Sequence, residues 1–449
     1  MLDNIPRYDM QRPPIRQHLR HLIAALSVFP LAKHHARITK TDMADIKPPY
    51  LLLCNHNAFM DFMMASHAVW PHRANFVVAI DGFIHREWLL RFIGCICTRK
   101  FTSDLQLVKN LTKVAENGDI IALYPEARYS LCGTTAVLPD SLGKLAKLLK
   151  IPVVTLICHG HHINSPFYHL PDHGVKPTSA ELKLLLGKEE VISSSADEIN
   201  RRIREAFVYD DFRWQQDNHI RVSYKDRARG LHKVLYQCPV CGQEYTMRSG
   251  GAGLWCDNCG AEWELDMYGK LSAVKQGRVN PEAGKGGPVL HPGGFDHVPD
   301  WYEWERENVR REVENGSYRF DSEVRVRALP NAKGYIDLGT GRLVHDMDGF
   351  HVEGICCGTD EKKRSGSLAA PKGMSSLVAG EKYRVDISPA RIYSCHIEYD
   401  YLGRFGDCID LNTNTDTLYI YPLRDDFSVT KIALATEELY DWHRNKKEQ

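Results

Sequence analysis

The sequence has no excess of charge of either sign, because lysine plus arginine and aspartate plus glutamate each number 57. Such a chain has no overall field that would attract nucleic acid or an anionic membrane, so any such binding depends on local patches. Long hydrophobic runs are also missing. The longest one near the N-terminus, residues 22–32, is about eleven residues long, whereas a helix needs about 20 to cross a bilayer. We therefore do not expect an integral membrane protein.

The cysteines argue against a secreted disulfide scaffold. They number 13, an odd total, four of them stand in metal-type spacing, and we find no N-terminal signal peptide. We therefore expect a reducing, cytoplasmic compartment. A length of 449 residues exceeds one ordinary hydrophobic core and predicts several domains.

Residues 1–45 combine basic side chains with the short apolar run. This pattern suits a helix that lies in a membrane interface, with its basic groups toward lipid phosphates. A helix packed on its own domain fits the pattern equally well. On the first interpretation the protein is peripheral on the inner face of the cell membrane. The basic residues before the apolar run are Arg12, Arg16, His18, Arg20 and His21.

Strand-like and helical runs alternate over residues 46–215, which is typical of α/β domains. Polar segments follow or close three apolar runs, residues 50–54, 92–97 and 120–124. Because open α/β sheets place ligands at the carboxyl ends of their strands, we expect these polar segments to meet in one site. This convergence predicts an enzyme.

His56 and Asp61 are five positions apart and cannot share one face of a helix. They can meet if His56 lies in the turn before a helix and Asp61 in its first turn, with Asn55 and Asn57 as capping candidates. The helix N-terminus would keep the histidine neutral, as a general base requires, and the aspartate would fix its tautomer. A capped helix with an incidental histidine is the alternative.

Four ordered blocks carry a resemblance to a known family. They are residues 55–61, with the pattern N-H-x4-D; residues 94–99, which start at Gly94 and end at Arg99; residues 125–130, which read P-E-A-R-Y-S; and residues 151–154, which read I-P-V-V. In these blocks the chain resembles the glycerophospholipid acyltransferase family, typified by 1-acyl-glycerol-3-phosphate acyltransferase. The resemblance covers roughly residues 45–210 and implies an α/β domain with a mixed sheet and flanking helices.

The resemblance also implies a reaction. A fatty acyl group would pass from acyl-CoA or acyl carrier protein to a hydroxyl of a lysophospholipid or glycerophosphate-type acceptor, with His56 as base and Asp61 orienting it. Phosphate and glycerol hydroxyls of the acceptor would be held by Arg99, Glu126 and Arg128. A lipid hydrolase or thioesterase with the same His/Asp pair, and a silent lipid-binding scaffold, are the alternatives.

The third block departs from the family pattern. The family has glycine after the glutamate and arginine three places on, whereas here Ala127 follows Glu126 and Arg128 comes two places on. In a strand-like segment, a shift by one residue turns a side chain to the other face. A different acceptor lipid or polyol therefore becomes an option.

Residues 232–270 contain two C-x2-C pairs, each followed by a glycine that permits a tight turn around a metal. Four thiolates in this spacing favour tetrahedral Zn²⁺ in a closed, structural zinc ribbon. The module has little positive charge besides Arg248, so we expect it to stabilise a subdomain rather than to bind nucleic acid. The expected ligands are Cys238, Cys241, Cys256 and Cys259.

The remaining sequence predicts a linker and polar helix over residues 271–317 and a small, mainly β domain over residues 318–449. Short strands, a hairpin turn at residues 339–341 and a closing helix resemble a pleckstrin-homology-like domain. Three histidines follow the strand at residues 151–158, namely His159, His161 and His162. Because no carboxylate or cysteine pairs with them at ligand spacing, we interpret them as a loop at the rim of the site.

Overall fold

The computed structural model describes residues 5–279, 288–357, 380–401 and 405–448. Its N-terminal part is an α/β domain with seven strands: β1 (Arg37–Thr41), β2 (Leu51–Cys54), β3 (Ala74–Ala79), β4 (Ile96–Thr98), β5 (Ile120–Leu123), β6 (Val153–His159) and β7 (Ser179–Leu186). Their order in the sheet is β1-β7-β6-β2-β5-β3-β4. The pair β6/β7 is antiparallel and the other pairs are parallel, so the predicted mixed sheet is confirmed.

Nine helices flank this sheet in the described residues: α1 (Arg20–Lys33), α2 (Met60–Val69), α3 (Glu87–Phe92), α4 (Leu105–Glu116), α5 (Ser141–Leu149), α6 (His161–Asn164), α7 (Lys188–Ser193), α8 (Ala196–Ala206) and α9 (Asp211–Asp217). Because helices cover both faces, the central strands β2 and β5 are buried along their whole length. Leu51 and Leu53 pack in one hydrophobic cluster, and Leu52 and Cys54 in another on the opposite face. The polar ends of these strands are thereby held in a rigid frame.

The strand expected over residues 92–97 begins later. Phe92 ends the short helix α3, and β4 starts only at Ile96. Gly94 lies between them with a φ of 88°, a conformation that favours glycine and ends the helical turn. The apolar residues of α3 therefore do not enter the sheet, and Trp88 and Phe92 remain exposed.

The cysteine module forms a four-stranded antiparallel sheet in the order β11-β10-β9-β8. Its strands are β8 (Met247–Gly250), β9 (Gly253–Cys256), β10 (Glu262–Leu265) and β11 (Leu271–Lys275). The fourth strand occupies the start of the predicted linker, of which residues 280–287 lie outside the described residues. The polar helix follows as α10 (Val298–Glu314).

The C-terminal part is a seven-stranded antiparallel sheet closed by the helix α11 (Val429–Glu448). Its strands are β12 (Phe320–Leu329), β13 (Ile336–Asp346), β14 (Gly349–Ile355), β15 (Lys382–Ile387), β16 (His396–Glu398), β17 (Cys408–Asn412) and β18 (Thr417–Pro422). The sheet order is β15-β14-β13-β12-β18-β17-β16. The predicted β domain with a closing helix is thus present.

The hairpin predicted at residues 339–341 is wrong, because β13 runs through these residues without a turn. Gly339 has a φ of 90° and lies where the register between β12 and β13 shifts. A glycine with positive φ can form a bulge inside a strand as readily as a hairpin turn.

The three parts share a hydrophobic core rather than standing apart. One buried cluster includes Leu131 of the α/β domain, Val240 of the cysteine module, and Ile397 and Leu434 of the β domain. No helix among the described residues has both the length and the apolar character needed to cross a membrane. The packing brings the β domain next to the carboxyl ends of β3 and β4.

Candidate active site

His56 and Asp61 meet as their spacing predicts. His56 lies in the loop between β2 and α2, and Asp61 lies in the first turn of α2. The His56 Nδ1 is 3.4 Å from the Asp61 Oδ2, and the same oxygen accepts hydrogen bonds from the backbone N–H groups of Asn57 and Ala58. Asp61 itself therefore fixes the turn that carries His56.

The side chains of Asn55 and Asn57, which we expected to cap α2, form hydrogen bonds with other segments of the domain instead. The Asn55 side chain makes paired hydrogen bonds with the backbone N–H and C=O of Cys158, at 2.8 and 2.9 Å. The Asn57 side chain accepts a hydrogen bond from the hydroxyl of Tyr209. Asn55 thus connects the end of β2 to the adjacent strand β6, which fixes the loop from its other side.

Asp61 holds a second histidine that the sequence did not single out as functional. The His161 Nδ1 is 2.6 Å from the Asp61 Oδ1, and both side chains are fully buried. Burial by itself would raise the pKa of Asp61, but the hydrogen bonds from His161 and His56 outweigh it and lower the pKa to about 2. Asp61 is therefore a carboxylate shared by two imidazoles.

His161 corrects the interpretation of the three histidines as a rim loop. It begins α6 directly beyond β6, and β6 pairs with β2, whose own loop carries His56. The contact between His161 and Asp61 could therefore have been predicted from the order of the strands, because residues that follow neighbouring parallel strands come close in space. Spacing along the chain could not reveal this contact, since Asp61 and His161 are 100 positions apart.

The His56 ring lies between two tyrosines and opens to a large cavity. Its centroid is 4.3 Å from the ring centroids of Tyr124 and Tyr129. The side chain remains 23% exposed, and it lines a cavity of about 1800 Å³ that extends to the β domain. The ring is thus positioned by its neighbours yet accessible to a substrate.

Glu126 supports the His56 loop from behind. One carboxylate oxygen accepts the backbone N–H of His56 at 2.8 Å, and the other accepts the N–H of Ala136 and the hydroxyl of Tyr209. Burial raises the pKa of Glu126 to about 8, although these three donors act in the opposite direction. A direct contact of Glu126 with the acceptor stays a prediction.

The guanidinium group of Arg99 binds the β domain. It donates to the backbone carbonyls of Leu329 and Pro330 and to the hydroxyl of Thr417, at 2.6–3.0 Å. Arg99 follows β4, the strand at the edge of the sheet, where the β domain packs. From the sequence we predicted that the Arg99 guanidinium binds the acceptor phosphate. That role stays a prediction, and the hydrogen bonds to the β domain compete with it.

Arg128 is likewise taken by the β domain. Its guanidinium forms a 2.7 Å ion pair with Glu437 of α11, and the two side chains are only 3% and 2% exposed. Ala127 has a φ of 55°, which is the left-handed region that favours glycine, the residue of the family pattern at this position. Ala127 thus adopts a turn that would suit glycine, and the Arg128 guanidinium, at the wall of the cavity that contains His56, is paired with a carboxylate of the protein.

The four predicted metal ligands converge in a buried group. The Sγ atoms of Cys238 and Cys259 are 3.7 Å apart, and those of Cys241 and Cys256 are 3.8 Å apart. Tetrahedral coordination with Zn–S bonds of ~2.3 Å sets sulfur pairs ~3.8 Å apart. The spacing of the four sulfur atoms can therefore hold a metal ion with bonds of this length.

The turns around the cysteine group have matching geometry. Gly242 and Gly260 have φ values of 74° and 76°, and each N–H donates to the carbonyl of the first cysteine in its own pair.

Asp61, Cys158 and His161 also come close enough to suggest a ligand set. There, however, the direct 2.6 Å hydrogen bond between Asp61 and His161 leaves no space for an ion between them.

Residues 35–159 match the family model described as Acyltransferase. The chain carries an acyltransferase domain. All four blocks lie within these residues, so the match agrees with the predicted resemblance over this part of the chain.

The chain is also similar to a solved structure, the crystal structure of the 1-acyl-sn-glycerophosphate (LPA) acyltransferase PlsC from Thermotoga maritima. The two chains have 14% sequence identity and a TM-score of 0.35, and the match covers 42% of this chain and 76% of that chain. No curated protein sequence matches this chain.

Proposed function

We propose that this acyltransferase moves a fatty acyl group from acyl-CoA or acyl carrier protein to a hydroxyl of a lysophospholipid or glycerophosphate-type acceptor. The observation that carries the proposal is the position of His56, which is oriented by Asp61 and opens to the large cavity of the acyltransferase domain. Its volume of about 1800 Å³ exceeds the ~300–1,000 Å³ of ordinary ligand pockets and gives room for two substrates.

In the proposed reaction, the His56 Nδ1–H faces Asp61, so the Nε2 accepts the proton of the acceptor hydroxyl. The hydroxyl oxygen attacks the thioester carbonyl, the C–O bond forms, and the C–S bond breaks. The proton then passes from His56 to the leaving thiolate. A positioned base of this kind contributes about 10²- to 10⁴-fold in rate. Asp61, held ionised by two histidines, stabilises the imidazolium that forms in between.

Mass spectrometry of purified protein incubated with acyl-CoA and a panel of lysophospholipids tests this function. Transfer gives a diacyl product and free CoA. A hydrolase with the same His/Asp pair gives free fatty acid and CoA, and a silent scaffold gives neither. The appearance of the diacyl lipid in stoichiometric amounts with CoA is the expected result.

We also infer that the enzyme works as a peripheral protein on the inner face of the cell membrane. The helix α1 exposes a row of apolar side chains, of which Leu26 is 68% and Phe29 79% exposed. Trp70, directly after the end of α2, and Trp88, on α3, are also exposed. The helix α1 packs against α2. Exposed apolar side chains that include tryptophan, with arginines nearby, suit the interface between lipid tails and headgroups.

Vesicle co-sedimentation tests this surface. The double variant Leu26→Asp/Phe29→Asp should lose binding to vesicles that contain anionic lipid, because the apolar face could no longer enter the bilayer. Val208 is 81% exposed after α8 in the same domain, so Val208→Asp is a matched control and should bind like the wild type. Equal binding by the double variant would contradict the inferred membrane surface.

The cysteine group is proposed as a structural zinc ribbon. Its sulfur spacing and closed set of four thiolates favour Zn²⁺, and the module packs on α10 through Trp263 and Trp301, whose rings are 4.9 Å apart. For the β domain, seven antiparallel strands and the closing helix α11 support the pleckstrin-homology-like prediction. Both parts would then act by shaping and stabilising the acyltransferase cavity.

A further inference from the structure

Tyr129 brings a hydroxyl group next to the proposed base. Its ring centroid is 4.3 Å from that of His56, and both side chains line the large cavity. Tyr129 stands three places after Glu126, where the family pattern has arginine. Since Arg128 is paired with Glu437, the third block places a phenol rather than a free guanidinium beside the imidazole.

The Tyr129 hydroxyl makes no hydrogen bond within the described part of the chain. The tyrosine on the other side of the imidazole, Tyr124, also has an unpaired hydroxyl, but that hydroxyl is fully buried. Tyr129 is only partly buried and lines the cavity, and its hydroxyl is not among the sealed ones. A ligand in the cavity can therefore reach the hydroxyl of Tyr129.

The charges around Tyr129 keep its hydroxyl protonated. Burial raises the pKa of Tyr129 above its ordinary value, and the carboxyl groups of Asp61, Glu398 and Asp81 act in the same direction. The phenol is therefore available as a hydrogen-bond donor at neutral pH. Asp61 lies behind His56, whereas Asp81 and Glu398 line the cavity. The hydroxyl is thus within electrostatic range of groups on both sides of the space in front of the base.

Attack on a thioester needs such a donor. The reaction puts negative charge on the carbonyl oxygen, and donors that already point at this position lower the barrier. The backbone of the loop that carries His56 has no free N–H at residues 55–58, because all four groups donate within the protein. Their acceptors are the Leu156 carbonyl and the carboxylates of Glu126 and Asp61. The unpaired phenol beside His56 can supply the hydrogen bond that these four groups cannot.

We propose that Tyr129 is a catalytic residue whose hydroxyl donates a hydrogen bond to the carbonyl oxygen of the acyl thioester and stabilises the oxyanion. The inference rests on the proposed acyl transfer, because it adds a residue to that reaction. As the acceptor hydroxyl forms the new C–O bond, the π electron pair of the carbonyl moves onto its oxygen. The pair returns when the C–S bond breaks and its electrons leave on sulfur. Tyr129 keeps its proton throughout, and the transferred proton moves through His56.

The variant Tyr129→Phe tests the proposal, because it removes the hydroxyl and keeps the ring that packs against His56. With acyl-CoA and a lysophospholipid, kcat should fall by about 10²- to 10³-fold, the loss typical of one oxyanion donor. The KM values of both substrates should change little, because the hydrogen bond strengthens only as the charge forms. A purely structural role of the ring would leave kcat unchanged in this variant.

The matched control is Tyr268→Phe, the same chemical change at a tyrosine that is 42% exposed in the cysteine module. It should match the wild type in kcat and KM. Thermal unfolding checks that both variants are folded. A near-normal kcat in folded Tyr129→Phe would overturn the proposal. A raised KM for the acceptor with an unchanged kcat would also overturn it, since the hydroxyl would then bind the acceptor instead of the oxyanion.

The products separate this inference from the function on which it rests. Diacyl lipid from the wild type, with the expected kcat loss in Tyr129→Phe, supports both. Diacyl lipid at equal rates from the two proteins leaves the acyltransferase function standing and overturns the role of Tyr129. If the wild type gives only free fatty acid and CoA, acyl transfer is contradicted. A slower hydrolysis by Tyr129→Phe would then still support the oxyanion contact, because hydrolysis forms the same oxyanion, and an equal rate would overturn it. No turnover of any acyl thioester by the wild type would contradict both.

Discussion

Arg128→Ala should destabilise the fold rather than weaken phosphate binding. The Arg128 guanidinium is buried against Glu437, and the same carboxylate also accepts hydrogen bonds from Arg306 and Ser394, each at 2.7 Å. Burial by itself would raise the pKa of Glu437, but the two arginines outweigh it and lower the pKa. Glu437 is therefore a buried anion that depends on its partners.

The size of the effect follows from burial. Loss of one partner of a buried ion pair costs about 3–5 kcal/mol, because the other charge stays behind without compensation. Arg306 and Ser394 would still hold Glu437 after the change, so we expect a loss of about 3 kcal/mol in the free energy of unfolding. Arg201 and Glu198 form an exposed ion pair, so Arg201→Ala should leave the free energy of unfolding nearly unchanged.

Urea unfolding, followed by circular dichroism and tryptophan fluorescence, measures both variants. Arg128→Ala should lower the midpoint of the transition that reports on α11, while the KM for a phosphate-bearing acceptor changes little in protein that is still folded. The opposite pattern, a stability loss under about 1 kcal/mol with a KM raised by about tenfold, would refute the domain-contact reasoning and favour a direct phosphate contact.

Three further predictions concern the catalytic loop and the metal group. Asp61 has a folded pKa of about 2, below its unfolded value, so its ionisation stabilises the fold above pH ~4. About 2 kcal/mol of the free energy of unfolding is lost as the pH falls toward 2. Urea unfolding across this pH range should show that Asp61→Asn lacks this loss. His161→Ala removes a hydrogen-bond donor from the buried carboxylate of Asp61, so it should cost about 1.5–3 kcal/mol of stability and alter the pH–rate profile. His161→Asn keeps an N–H donor and should recover part of the stability and part of the wild-type profile. Equal pH–rate profiles for the two variants would contradict the contact with Asp61. Purified protein should contain about one zinc per chain by elemental analysis, and Cys256→Ser should lose the metal and stability but leave the His56 environment unchanged; metal-free but stable wild-type protein would contradict the zinc ribbon.

Local sequence patterns predicted the features that depend on neighbouring residues. The buried strands β2 and β5 are continuous apolar runs, and the five-position offset between His56 and Asp61 predicted that they meet across the turn before α2. Likewise, the two C-x2-C pairs predicted a group of four cysteines that the structure brings together. In each case the residues that interact are close in sequence, or their spacing is constrained by a metal.

The features that the sequence did not predict depend on long-range packing. Arg99 and Arg128 contact residues more than 200 positions away, so the family pattern gave no sign that the β domain would occupy their guanidinium groups. His161 reaches Asp61 only because β6 lies beside β2 in the sheet. Gly339 shows the limit of turn signals, since one positive-φ glycine fits a bulge as well as a hairpin.

The most direct test of the account is the turnover of His56→Ala with acyl-CoA and a lysophospholipid, measured as diacyl lipid by mass spectrometry and as released CoA. The variant should keep its fold and lose about 10²- to 10⁴-fold in rate. His67, an exposed histidine on the adjacent helix α2, provides the control, and His67→Ala should match the wild type. Near-normal transfer by His56→Ala, or CoA release without diacyl lipid by the wild type, would contradict the proposed acyl transfer.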